Sequence, residues 1–301
     1  MYDICCIGHI TLDKIVTPKN VVFMPGGTST YFSNALCNID LRYLLITILA
    51  EKELHCIKDL ESKGIEVKIA RFSAETVYFE NNYALNPDHR TQRVLQQSVP
   101  FSLENLDDIS AKVFHLGPLL ADDIPIEIIE ALSRKGKISL DAQGYLRKVE
   151  DQKVHSFGWP DKKKALQYVD ILKVNEDEMQ ILTGHRSPKQ AALILHDWGV
   201  KEIIITCGSR GSIIYDGNTF YNIPAFCPLN TIIDATGCGD TYMAGYLHQR
   251  IKGASYQQAG EFAAAMATLK IESSGPFTGT EKNVEDVIVN PKRQIFFPVF
   301  F

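Results

Sequence analysis

The densest chemistry in the chain lies at Asp234-Ala235-Thr236-Gly237-Cys238-Gly239-Asp240-Thr241. A β-prone run, residues 231–233, precedes this octet, and an amphipathic run follows it. The octet therefore reads as a turn from a strand into a helix of about residues 240–252. Two glycines let the backbone turn so that successive N–H groups point into one concavity. Such a nest, at a helix amino terminus, binds anions. A carboxylate beside an anion hole is electrostatically awkward without a task. Two tasks fit Asp240: taking a proton from an attacking hydroxyl, or capping the helix that follows.

Five other segments put polar residues or glycines at the ends of elements. Asp13, in Gly8-His9-Ile10-Thr11-Leu12-Asp13, follows the first apolar run. Pro25-Gly26-Gly27-Thr28-Ser29 opens a helix of residues 29–39 that contains Asn34. Its paired glycines suit either close backbone approach to a polyol or an ordinary turn. In Lys173-Val174-Asn175-Glu176-Asp177-Glu178 a strand gives way to a helix, and Asn175 and Glu178 have capping-box spacing. Thr206-Cys207-Gly208-Ser209-Arg210-Gly211 and Asp141-Ala142-Gln143-Gly144-Tyr145-Leu146-Arg147 each follow a strand-like run.

Together, and in their order along the chain, these segments resemble the PfkB-type (ribokinase-like) carbohydrate kinases. The octet is similar to that family's Asp-Thr-x-Gly-Ala-Gly-Asp signature and departs from it at Ala235 and Cys238. The resemblance implies that Asp240 is the catalytic base and that the amides of Gly237, Cys238 and Gly239 stabilise the transferring phosphoryl group. It implies that Asp13, Gly26, Gly27 and Asn34 hold the acceptor. Arg147 joins them through either a phosphate contact or a structural ion pair. ATP would lie along Asn175, Thr206, Gly208, Gly211 and Thr236. Glu178 would help to place Mg²⁺, which keeps several waters and needs few protein ligands. Ala235 lacks a hydroxyl near the place where some members bind a monovalent cation, so that site stays open. The expected activity is ATP-dependent phosphorylation of a sugar or polyol hydroxyl. A nucleoside acceptor is the alternative, with Tyr78, Phe79 and Tyr83 either stacking on a base or packing within the lid. A non-catalytic sugar- or nucleotide-binding protein on the same fold is the other alternative, and the intact Asp240, Asn175 and Glu178 argue against it.

The elements that must position these residues alternate strand and helix from residue 2 to residue 272. That pattern predicts one domain over residues 1–301, an α/β/α sandwich in three layers with a mostly parallel central sheet. Residues 66–98 break the alternation. Three strand-like pieces follow one another there, with a turn at Asn86-Pro87-Asp88-His89. With residues 14–24 they are expected to form a small β lid over the carboxyl ends of the main strands, where α/β folds bind ligands. An exposed lid strand could also pair two chains into a homodimer.

Composition narrows the classes. Hydrophobic residues make up 45% of 301, enough for a sizeable core. Acidic residues outnumber basic ones, 36 to 31, which removes the basic excess expected of a nucleic-acid binder. No run of about 18 apolar residues occurs, and the first residues show no signal-peptide pattern, so no membrane association is expected. The seven cysteines are odd in number, lack C-x-x-C spacing and sit largely in apolar runs. They read as reduced core residues of a cytoplasmic protein. There is no Walker-type G-x-x-x-x-G-K-[ST] and no G-x-G-x-x-G after the first strand.

Overall fold

The computed structural model describes residues 1–16, 20–83 and 90–293. In chain order its strands are β1 (Tyr2–Ile7), β2 (Thr11–Val16), β3 (Val21–Gly26), β4 (Tyr43–Ala50), β5 (Glu66–Ser73), β6 (Val77–Tyr83), β7 (Arg90–Gln96), β8 (Ala111–Leu116), β9 (Lys137–Asp141), β10 (Arg147–Glu150), β11 (Lys153–Ser156), β12 (Ile171–Asn175), β13 (Glu202–Thr206), β14 (Ser212–Tyr215) and β15 (Phe220–Ile223). The helices are α1 (Gly27–Leu36), α2 (Leu54–Ser62), α3 (Ile126–Ser133), α4 (Lys162–Leu166), α5 (Glu176–Thr183), α6 (Pro188–Asp197), α7 (Cys238–Ile251), α8 (Tyr256–Ile271) and α9 (Glu281–Val289).

The larger sheet runs β15-β14-β13-β12-β9-β8-β1-β4-β5 among the described residues. It is parallel from β13 to β5, and β14 and β15 add an antiparallel edge. Its central strands are mainly apolar because both faces are covered. In β1, Ile4 and Cys6 pack into one buried cluster and Cys5 and Ile7 into the other, as the two-residue period of a strand requires. The cluster holding Ile4 draws on α1, α2, α7, α8 and α9, and the cluster holding Cys5 on α3, α4, α5 and α6. The three layers follow directly. All seven cysteines are free thiols. No helix among the described residues is long and apolar enough to cross a membrane.

The smaller sheet has the order β10-β11-β7-β6-β2-β3. Two of its features depart from expectation. Residues 66–73 do not belong to it: β5 pairs parallel with β4 and forms an edge of the larger sheet. The short gap between α2 and β5, with Gly64 in the left-handed region at φ +82°, returns the chain to the sheet it left. In exchange, β10 and β11 extend the smaller sheet, joining it where Lys153 pairs with Arg93. The turn expected at residues 86–89 lies outside the described residues. The strand expected at residues 231–233 is absent. Ile232 and Ile233 are exposed there, and the Ile233 amide donates to the Ile271 carbonyl at 2.9 Å. α9 has no counterpart in the sequence expectations.

Candidate active site

The carboxyl ends of β1, β9, β12 and β13, the amino ends of α1, α5 and α7, and the inner face of the smaller sheet converge on two adjoining cavities. The larger is a cleft of about 490 Å³ whose wall is mainly apolar, including Ala225, Phe226, Ile232, Ala264 and Ile271. Asn175, Thr206, Gly208 and Gly211 line it. The smaller pocket, about 80 Å³, is polar: Asp13, Asn81, Gln92, Gln143, Arg147 and Asp240 face it beside Phe79 and Leu119. The octet forms the wall between them. Ala235, Cys238 and Gly239 line the cleft, while Thr236 and Asp240 line the pocket. Thr236 thus stands on the opposite side from the nucleotide residues with which it was expected.

α7 starts two residues earlier than the sequence suggests. Gly237 is its N-cap, at φ +76° and ψ 5°. A Cβ on Gly237 would collide with the Tyr31 ring, so both conformation and contact demand glycine. Asp240 is therefore the third residue of the helix rather than its cap. The Cys238 amide is drawn into the turn, donating to the Ala235 carbonyl at 3.2 Å. The first-turn amides of Gly239 and Asp240 have no intrahelical acceptor, by the geometry of a helix start. The open amides at this helix start consequently sit one residue further along than the expected set.

Asp240 accepts a hydrogen bond from Thr28 and is half-buried at the pocket wall. Burial, reinforced by Asp141, pushes its pKa up to about 7 against the opposing pull of Lys173, Thr28 and Arg147. Lys173 is the residue that sequence reasoning passed over. Its ammonium bonds Asp141 at 2.9 Å with both side chains only 6% exposed. It also lies 3.0 Å from where a Cβ on Gly239 would stand, directly behind the nest. Burial alone would weaken its hold on a proton, but Asp141, Glu178 and Asp240 together raise its pKa above a lysine's ordinary value. Its signal in the sequence is a lysine inside the apolar run Ile171-Leu172-Lys173-Val174, and β12 sets it directly opposite Asp141 on β9.

Asn175 and Glu178 make the capping box: the Asn175 side chain accepts from the Glu178 amide at 2.9 Å, and Glu178 accepts from the Asn175 amide at 2.8 Å. Glu178 is buried, and its pKa is raised by burial and by Asp141, with Lys173 opposing. Asp141, Glu178 and Asp240 thus share one buried ammonium and the nearby Arg147. That surplus of carboxylates suits a divalent cation.

In the acceptor region, Gly26 is required because a Cβ there would collide with the Asp13 carboxylate. Gly27 turns the chain at φ +79° against the His9 carbonyl. Asp13 is itself fixed by the Thr11 hydroxyl, which donates to it at 2.6 Å. Asn34 does not reach the site. It lies seven residues into α1, about 10 Å along the axis. There its amide donates to the Thr30 carbonyl and its oxygen accepts from Lys63 at 2.9 Å. Of the lid aromatics, Phe79 lines the pocket. Tyr78 alternates to the other face of β6.

The sequence pattern of the pfkB family carbohydrate kinases matches residues 85–283, and the chain belongs to that family. It is a phosphotransferase acting on a hydroxyl of a sugar or polyol. A cytidine kinase of Thermococcus kodakarensis is 28% identical over 258 residues, 82% of this chain and 88% of the relative. A pyrophosphate-dependent myo-inositol-1 kinase, converted into a myo-inositol-3 kinase by two substitutions to leucine, superposes with a TM-score of 0.83 at 28% identity, covering 94% of this chain and 98% of that one. Ribokinase of Arabidopsis thaliana complexed with ribose and ATP shares the fold, with a TM-score of 0.76 at 20% identity over 96% of this chain and 99% of that one.

Proposed function

We propose that this chain transfers the γ-phosphoryl group of ATP to a hydroxyl of a neutral sugar or polyol, with Asp240 as general base. The observation that carries this reading is the placement of Asp240 in the wall shared by an apolar cleft and a small polar pocket. A phosphoryl donor in the cleft would meet an acceptor hydroxyl at that wall, and the first-turn amides of α7 would face the charge that develops there. Positioning and electrostatics supply most of the catalysis in phosphoryl transfer. Asn175 and Glu178 would hold Mg²⁺, which would neutralise phosphate charge. Lys173 would add a fixed positive charge behind the nest. The smaller sheet would act as the lid that excludes water.

The cleft supports ATP as the donor. Inorganic pyrophosphate is highly charged and has no apolar part, whereas the lining of this cleft among the described residues includes neither lysine nor arginine and has a broad apolar wall of Ala, Phe, Pro and Ile. The apolar wall of Ala225, Phe226, Pro228, Ile232, Ala264 and Ile271 suits a purine base. ADP should therefore form from ATP in the presence of a neutral sugar or polyol, and pyrophosphate should not substitute. Turnover with pyrophosphate but not ATP overturns the donor assignment. An absence of turnover with both donors across pentoses, hexoses and inositols overturns the reading as a whole. The pocket also favours a small acceptor over a nucleoside, because it is small, about 80 Å³, and Phe79 is the one lid aromatic lining it among the described side chains.

Asp13 is the acceptor anchor in this reading. Asp13→Ala should raise acceptor KM roughly tenfold to a hundredfold, the loss of one charged hydrogen bond, with ATP Kd nearly constant. A drop in ATP affinity with acceptor KM unmoved would place Asp13 on the wrong ligand. The lid also offers a subunit contact: β3 ends the smaller sheet, and Val21, Val22 and Phe23 are 52%, 48% and 66% exposed. An apolar open edge of this kind pairs readily with a second copy. Sedimentation should show a homodimer at micromolar concentration that Phe23→Lys dissociates, and a wild-type monomer would rule the contact out.

The conversion of the related myo-inositol kinase takes two leucine substitutions eleven positions apart. In this fold, then, a small number of side chains can decide which hydroxyl is phosphorylated.

A further inference from the structure

Asn81 and Gln92 are eleven residues apart in sequence and directly opposite each other on β6 and β7. The Gln92 side-chain amide donates to the Asn81 side-chain oxygen at 2.9 Å. That bond occupies the Asn81 carbonyl and orients both amides. The Asn81 NH₂ group and the Gln92 oxygen take no protein partner among the described residues, although Asn81 is only 2% exposed. Both residues line the polar pocket with Asp240. Both amides line the pocket and keep hydrogen-bonding capacity beyond the bond between them, so a ligand in the pocket can take it up.

The register places the pair relative to Asp13. Asp13 on β2 lies beside Phe79 on β6, and Asn81 is two residues further along the same strand. Asp13, Phe79 and Asn81 are all buried on the alternating positions that face the pocket. Two residues along a strand is about 7 Å. The pocket therefore carries a carboxylate at one point and, about 7 Å away, a fixed donor beside a fixed acceptor. A polyol hydroxyl can donate to Asp13 while a distant pair of hydroxyls accepts from Asn81 and donates to Gln92. With both ends fixed, a single hydroxyl is left facing Asp240.

We propose that the Asn81–Gln92 amide pair determines which hydroxyl of the acceptor is phosphorylated. This rests on the reading of the polar pocket as the acceptor site. Neither residue touches the reacting atoms, so the pair acts on regiochemistry and acceptor affinity and leaves the donor untouched. A pair that only fastened β6 to β7 would act on lid stability alone.

The test uses the full chain with ATP and, as acceptors, myo-inositol and D-ribose. Phosphorus–proton correlation NMR identifies the phosphorylated carbon of each product. Asn81→Leu and Gln92→Leu should each raise acceptor KM roughly tenfold, the loss of one hydrogen bond to a buried partner. The double variant should give a different regioisomer or a mixture, with ATP KM unchanged. Gln92→Met, which keeps the length of the side chain, guards against loss of packing, and circular dichroism checks that each variant folds. If the wild type phosphorylates an acceptor and every folded variant makes the same single regioisomer, the amide pair is structural and the inference falls alone. If the wild type phosphorylates neither acceptor, the acceptor reading fails and takes this inference with it.

Discussion

Replacing Asp240 by Asn is expected to lower kcat by about 10²–10⁴-fold while the fold and the ATP Kd stay near wild type. The change is nearly isosteric, and an Asn oxygen can still accept from Thr28, the hydroxyl that holds the native carboxylate. Because Gly237 and not Asp240 caps α7, no helix cap is lost. A purely structural Asp240 would contribute only its attraction to the helix dipole, about 0.3–1 kcal/mol of stability, and nothing to the rate. The two accounts differ by orders of magnitude in one assay. A folded Asp240→Asn protein that keeps more than about a tenth of the wild-type kcat would sink the assignment of this residue as base. The same carboxylate predicts the acid limb of the pH profile. Its pKa is pushed up to about 7 by burial and Asp141. Below that pH the group is protonated and cannot accept the hydroxyl proton; above it the group is ionised. The kcat/KM for the acceptor should therefore rise with pH through about 7 and then level off. A profile flat from pH 5.5 to 8 would count against Asp240 as the group that titrates.

The sequence made the chemistry legible where the residue type and the backbone demand coincide. Gly237 is such a place, since its positive φ and its contact with Tyr31 both exclude a side chain. The alternation of apolar runs and helices also led directly to the parallel sheet, because strands covered on both faces must be mainly apolar. What remained hidden depends on pairing across the chain. β5 reads as a lid strand because its own residues are half polar, yet its place was decided by β4, which needed an edge partner. The β10–β11 hairpin is short and charged and acquires its role only by meeting β7 at a single pair. Lys173 was visible as a charge in an apolar strand, but its function depends on Asp141, 32 residues away. Asn34 misled for the converse reason: it belongs to the right helix, and two turns of that helix carry it out of the site.

The second large effect is expected at Lys173. Lys173→Met removes one member of a buried ion pair and strands Asp141 without its partner, which typically costs about 3–5 kcal/mol. Asp141, now held low chiefly by Lys173 against the pull of burial, would relieve part of that cost by taking up a proton. Adding Asp141→Asn removes the stranded charge and still leaves an acceptor for the Gln143 amide, which bonds Asp141 at 3.1 Å. Replacing a whole buried pair by neutral groups is often close to neutral for stability. Urea unfolding should therefore show a large loss in the single variant and recovery of most of it in the double variant. Activity should not follow. Lys173 stands behind Gly239 in the nest and opposes the rise in Asp240's pKa. Without it the nest loses a fixed positive charge and the acid limb of the single variant should move to higher pH. In the double variant the Asp141 charge that pushed Asp240 upward is also gone, so the limb should move back, yet the nest still lacks its ammonium and kcat should remain depressed. Recovery of stability and kcat together in the double variant would show that Lys173 serves the fold alone. Recovery of stability with kcat still low would place its charge in the phosphoryl-transfer site.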